Sequence, residues 1–177
     1  SSVRKLYGDS EFGKGCLLAR RLVQAGVTFI EVSLGNWDTH QDNFNAVQQL
    51  CGVLDPALGT LIEDLQQRGM LESTLVLWMG EFGRTPEIVA DRTGRDHFPV
   101  AWSSVMCGGG IRGGVTVGAT DELGLHAVEE PHHLRDIHTT ILNQLGLNQD
   151  ALSYLHQGRR ERLTEVQGSV IKSIVTS

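Results

Sequence analysis

Val27-Thr28-Phe29-Ile30-Glu31-Val32-Ser33-Leu34 and, further on, Ser73-Thr74-Leu75-Val76-Leu77-Trp78-Met79 are the two β-rich stretches on which the fold reading turns. β-Branched and aromatic residues fill both, and their lengths suit strands. Between them Phe44, Val47, Leu50, Cys51, Leu54, Leu58, Leu61, Ile62 and Leu65 recur at helical spacing, ending near Gly69. Asp55-Pro56 inside that stripe reads as a kink or a restart, with Asp55 as N-cap and Pro56 at the first helical position. Strand, helix and strand together predict a βαβ unit, whose crossover is right-handed between parallel strands.

Outward from this unit, Phe12, Cys16, Leu17, Ala19, Leu22 and Val23 predict a helix over residues 10–25, closed by Gly26. Val100–Cys107 and Val115–Gly118 read as further strands, joined by a Gly-rich turn from Gly108 to Gly114. Pro131 opens a helix carrying Leu134, Ile137, Ile141, Leu142 and Leu145, with Gly146 at its end. The tail from Leu152 is mixed, with a short helix expected over Val170–Val175. The expected class is α/β, a largely parallel sheet flanked by helices, over a single domain spanning 1–177.

The 177 residues carry a formal net charge of −6, 40% hydrophobic and 20% charged residues. That apolar fraction excludes a disordered chain, and the absence of a repeat period excludes collagen-like and coiled-coil architectures. No apolar run approaches the roughly 20 residues of a membrane span. A net acidic chain is a poor general ligand for nucleic acid or an anionic membrane. Cys16, Cys51 and Cys107 are odd in number and widely spaced in apolar contexts, so they read as buried free thiols.

In open α/β sheets, sites gather at the carboxyl ends of strands. Past the first predicted strand comes Gly35-Asn36-Trp37-Asp38-Thr39-His40, and past the second Gly80-Glu81-Phe82-Gly83-Arg84-Thr85-Pro86. Parallel strands would put Asp38, His40, Glu81 and Arg84 on one edge. Residues 81–98 form a long loop without periodicity, which ends in Gly94-Arg95-Asp96-His97. If the strand after it ran antiparallel to the first two, His97 would join the same edge. Asp, Glu and His in such a group suit zinc, manganese, iron, magnesium or calcium. Each residue also has a plainer role open to it. Asp38 can cap the following helix, His40 can lie at the surface, and Glu81, Arg84 and Asp96 can form only an ion-pair network.

Other chemistry-bearing stretches are weaker. Gly108–Gly114 resembles a phosphate loop, but a strand and not a helix follows it, so a tight turn is expected. His132, His133 and Asp136 read as a solvated helix start, His138 as a core histidine, and Arg159, Arg160 and Arg162 as a solvated basic face. No Gly-x-Ser-x-Gly elbow and no Cys–His couple appears.

Taken together, Leu18-Ala19-Arg20-Arg21-Leu22, Trp37-Asp38-Thr39-His40, Gly80-Glu81-Phe82-Gly83-Arg84-Thr85-Pro86, Gly94-Arg95-Asp96-His97 and Gly118-Ala119-Thr120-Asp121 closely resemble domain-of-unknown-function family 1501. The resemblance covers about Tyr7 to Gly168. That family looks like a sulfatase-like branch of the alkaline phosphatase superfamily, which implies that superfamily's fold and a two-metal hydrolase of phosphate or sulfate esters. Residue by residue, the resemblance implies Asp38 and His40 as ligands, with Glu81 at a second ligand position. It implies His97 at a third, with Asp96 beside it as ligand or orienter, and Arg84 or Arg95 binding the ester's anionic group. The helix from Asp136 to Leu142 would be structural.

Three departures stand out against the superfamily pattern. Asp38 and His40 lie closer together than usual, Gly80-Glu81 replaces an Asp-His pair, and the nucleophile belongs to an N-terminal half not seen here. The chain is accordingly expected to be the C-terminal portion of a longer, exported protein of the periplasm or cell surface. The expected function is metal-dependent hydrolysis of a small anionic ester. The alternative is a non-catalytic module that binds sulfated or phosphorylated glycans or serves assembly at the cell surface.

Overall fold

A computed structural model describes residues 2–162 and 168–176. It contains helices α1 (Ser2–Leu6), α2 (Glu11–Gln24) and α3 (Asn43–Gln67), followed by strands β1 (Val76–Trp78), β2 (Gly83–Arg84), β3 (His97–Phe98) and β4 (Val105–Cys107). Strands β5 (Ala119–Thr120) and β6 (Ala127–Glu129), helix α4 (Leu134–Gln144) and strands β7 (Ser153–His156) and β8 (Arg159–Arg162) complete it. No described helix is long and apolar enough to cross a membrane.

Helix α2 starts where Ser10, in extended backbone, accepts a hydrogen bond from the Gly13 amide, an N-cap that satisfies one of the helix's free donors. Helix α3 runs unbroken through Pro56 instead of restarting there, and its N-cap is Asp42, not Asp55. Nor does Asp38 cap it. The core lies among these helices. Tyr7, Cys16, Leu17 and Ala57 are buried, with Val3, Phe12, Val32 and Leu61 packed around them. Within it Asp64 accepts hydrogen bonds from Tyr7 Oη (2.8 Å), Arg20 Nε (2.9 Å) and Arg68 Nε (2.6 Å), so the buried Arg20 is paired. Burial and the bond to Asp64 push the Tyr7 phenol well above its ordinary range.

The expected largely parallel sheet flanked by helices, of alkaline-phosphatase or sulfatase type, is absent. The described strands form four separate two-stranded antiparallel sheets, β1–β4, β2–β3, β5–β6 and β7–β8. Strand β1 pairs with β4, with Val76 opposite Cys107 and Trp78 opposite Val105. In residues 27–34, Ile30, Val32 and Leu34 are half-buried while Phe29, Glu31 and Ser33 are exposed, yet no strand ladder forms there. The period of a strand is present and its neighbour is not, so the predicted βαβ unit does not exist. An alternating pattern encodes which face is buried but not which segment pairs with it.

Elsewhere the elements differ by a few residues. Only Val105–Cys107 of the predicted 100–107 strand is paired, and Ala119–Thr120 replaces the predicted 115–118 strand. Residues 153–162 form the hairpin β7–β8, and a turn with a single bridge from Val175 to Ile111 replaces the short helix expected over Val170–Val175. Gly108–Gly114 is a turn, as expected. All three cysteines are free, but only Cys16 is buried, while Cys51 and Cys107 are half-buried. His133 caps α4 reciprocally with Asp136, and His138 is exposed, not in the core.

Candidate metal centre

The connection between α2 and α3 carries Asp38 and His40, and several contacts fix it. Trp37 packs edge-on against Trp78 at the end of β1, with ring centroids 6.4 Å apart. Thr39 is buried, its hydroxyl takes a 2.6 Å hydrogen bond from Asn43 Nδ2, and its carbonyl accepts from the Arg95 amide. The amides of Asp42 and Asn43 donate to the carbonyls of Arg92 and Thr93. The 85–96 loop is thereby laced onto the start of α3. Gly94 is required where the two backbones meet, because a Cβ there would collide with the carbonyl of His40 and lie 2.6 Å from the Gln41 amide nitrogen. Asn36, Asp42 and Thr93, three of the five described non-glycine residues with positive φ, flank this junction. Such strain persists only where surrounding structure over-determines the backbone.

The same loop returns to the site through the β2–β3 pair, whose register sets Arg84 opposite His97. Both reach Asp38. Arg84 Nη1 donates to Asp38 Oδ1 at 2.8 Å, and His97 Nε2 lies 2.9 Å from the same oxygen. His40 Nε2 lies 3.1 Å from Asp38 Oδ1 and 3.2 Å from His97 Nε2. Asp38, His40 and His97 thus form a triangle of ligand atoms placed to hold one metal ion. Ligands 2.0–2.1 Å from a tetrahedral ion sit about 3.3 Å apart, so each donor is within a few tenths of an ångström of a fit. The hydrogen bond from His97, with the charges of His40 and Arg84 nearby, outweighs the opposing effect of desolvation and holds the Asp38 carboxyl below the usual carboxylate range. An ionised carboxylate is the form a metal requires.

The remaining expected residues lie around the triangle, not in it. Glu81 reaches the group only through Arg84, whose Nη2 donates to Glu81 Oε1 at 3.2 Å. Asp96 Oδ1 is 3.0 Å from His40 Nδ1, on the far side of the imidazole from the triangle. Arg95 is turned away altogether, since its guanidinium donates to the carbonyls of Thr85 and Pro86 and to Asn43 Oδ1. Its role is to fix the loop. Sequence reasoning missed Phe82, whose ring lies 4.5 Å from that of His97 and under the Arg84 guanidinium. It also missed Arg92, which donates to both oxygens of Asp96. The four-residue separation of Arg92 and Asp96 was readable, but without a helix it carries no meaning. The side chains of Asp38, His40 and His97 are 57%, 35% and 47% exposed, which leaves the triangle open to solvent on one side.

No curated protein and no solved structure matches the chain. A family described as Protein of unknown function (DUF1501) matches residues 1–175, so the motifs that build this site, Trp37–His40, Gly80–Pro86 and Gly94–His97, fall inside the match, and the chain belongs to that family.

Proposed function

We propose that Asp38, His40 and His97 bind a divalent ion, and that the centre serves hydrolysis of a phosphate or sulfate ester. The observation that carries this reading is the open triangle itself. Three protein ligands with one side left to solvent is the pattern of catalytic metal sites, whereas structural sites close with a fourth ligand. Two nitrogens and one oxygen favour zinc, iron or manganese over magnesium or calcium, which prefer oxygen donors. The bound ion would supply Lewis acidity and a water of lowered pKa. Asp38 contributes the charge of the site, and Arg84 holds its carboxylate in place. Phe82 walls the ring of His97, and Glu81 presents a second carboxylate at the rim through Arg84. Export to the periplasm or cell surface, implied by the resemblance, goes with this reading.

A second reading is favoured by one observation. Arg84 is held between Asp38 and Glu81, and Arg95 lies on backbone carbonyls, so both arginines expected to clamp an ester's anion are engaged elsewhere. In that reading the centre retains sulfated or phosphorylated glycans in a metal-dependent way without cleaving them. Zinc and manganese titration of the protein, with His40→Ala and His97→Ala alongside, tests the shared premise. Near one equivalent bound by the parent and strong weakening in both variants is expected, and less than about a tenth of an equivalent would sink it. Turnover of aryl phosphate or aryl sulfate, abolished by His97→Ala, then separates hydrolysis from retention on a sulfated glycan column.

A further inference from the structure

Behind His40 the structure builds a second layer. Asp96 Oδ1 sits 3.0 Å from His40 Nδ1, and Arg92 Nη2 donates to Asp96 Oδ1 at 3.3 Å and Oδ2 at 3.4 Å. The backbone of Asp96 is pinned as well, its amide donating to Thr85 Oγ1 and its carbonyl accepting from the Thr85 amide. Arg92 is held in turn, because its carbonyl accepts from the Asp42 amide beside the start of α3. A neutral imidazole carries its proton on one nitrogen only, and the hydrogen bond made by the other side of the ring decides which. Each ring nitrogen of His40 faces a carboxylate oxygen, but Asp38 Oδ1, 3.1 Å from Nε2, already takes Arg84 Nη1 and faces His97 Nε2. The proton therefore stays on Nδ1 toward Asp96, and the lone pair at Nε2 faces Asp38 and His97.

We propose that Asp96, braced by Arg92, is the positioning residue of the centre, fixing the tautomer and ring orientation of His40 without itself binding the ion. The inference rests on the reading that the Asp38–His40–His97 triangle binds metal, and it resolves what Asp96 does there. As a direct ligand Asp96 would have to leave both His40 and Arg92 and cross to the other edge of the imidazole. As an orienting carboxylate it stands where it is needed, in the arrangement that makes metal-bound histidines better donors.

Two readouts test it. Nitrogen-15 NMR of the metal-free protein reads the tautomer of His40 directly, and the Nδ1–H form is expected in the parent, giving way to a mixture in Asp96→Ala. Cobalt(II) titration against a chelator, followed by the visible d–d band, reads affinity and geometry. Asp96→Ala is expected to bind cobalt about 10- to 100-fold more weakly, with an altered band, while Asp96→Glu recovers part of the loss. Arg92→Gln is expected to weaken binding by a smaller factor. If the parent binds no cobalt, the metal reading itself fails. If the parent binds and Asp96→Ala matches it in affinity, band and tautomer, the positioning role alone is overturned. Should Asp96→Ala not fold, Asp96→Asn decides, because an unchanged tautomer and affinity there overturn the proposal and a shift in both supports it.

Discussion

Replacing Gly94 by alanine adds one methyl group at the point where the 85–96 loop crosses the backbone of His40 and Gln41. Gly94 is not among the glycines with positive φ, so alanine incurs no conformational penalty there and the effect is steric alone. The added Cβ would overlap the His40 carbonyl and stand 2.6 Å from the Gln41 nitrogen, closer than real Cβ atoms are found. The backbones must therefore separate by about 1 Å, a displacement that metal ligands, which tolerate about 0.2 Å, do not absorb. The Arg95 amide bond to the Thr39 carbonyl, 3.2 Å long, lies next to the collision and would open. Overpacking of this kind costs about 1–3 kcal/mol, and the lost hydrogen bond adds about 1 kcal/mol. Urea denaturation should show a loss of about 2–4 kcal/mol. Cobalt binding should weaken by about the 10- to 100-fold typical of disturbing a ligand's support. Gly80→Ala is the control, because a Cβ at Gly80 meets nothing within 4 Å and its φ is also not positive. Should Gly94→Ala match Gly80→Ala within about 0.5 kcal/mol and bind cobalt equally, the close approach is not what places His40.

Other consequences follow from the helical core. Asp64→Asn leaves the buried Arg20 guanidinium without its counter-charge and should lower stability by about 3 kcal/mol in urea melts. Burial pushes the Asp64 carboxyl upward, but its hydrogen bonds from Arg68 and Tyr7 and the charges of Arg20 and Arg68 outweigh this and hold it below its ordinary value. Its contribution is therefore complete above the unfolded carboxylate pKa of about 3.9 and is lost as pH falls further through the folded value. The stability gap between the parent and Asp64→Asn should accordingly hold constant above about pH 5 and shrink as pH falls below about 4. Thr140 is fully buried, and its hydroxyl donates to the Asp136 carbonyl and accepts from the Ile171 amide. Thr140→Val should cost about 1–3 kcal/mol by leaving that amide unpaired, and more than Thr140→Ser in the same melt; equal losses would refute this. Burial pushes the Cys16 thiol up to about 11, so a disulfide reagent at about pH 8 should leave it untouched until the protein unfolds.

The helices were legible because their signal is local. The stripes ending at Val23 and Leu65 predict α2 and α3 within a residue or two at most ends, and Gly26, Gly69 and Gly146 mark where helices stop. The sheet was not legible, because pairing is a long-range choice that an alternating run cannot specify. Thus Val27–Leu34 reads as a strand and is found unpaired, while β7–β8, rich in arginine and lacking a clear apolar face, went unread. The shared-edge argument for Asp38, His40 and His97 needed a strand at residues 27–34 parallel to β1, and no strand forms there, so only its side condition on the later strand holds. Strand β4 does run antiparallel to β1, and the loop before it folds back onto the start of α3. Motif spacing could name the residues. It could not say that Arg95 would face carbonyls, because that depends on where Thr85 and Pro86 turn.

The triangle joins positions far apart in the chain, Asp38 and His97 being 59 residues distant. An ion gripped by both would close that stretch into a ring and restrict the unfolded ensemble as a cross-link does. By the loop-entropy relation for disulfides, a closure of this length is worth up to about 4 kcal/mol. For a chain whose described sheets have only two strands each, that is comparable to much of an ordinary stability margin. The site would then act as a clasp between distant parts of the chain, and chelation would loosen the region from α3 to β3.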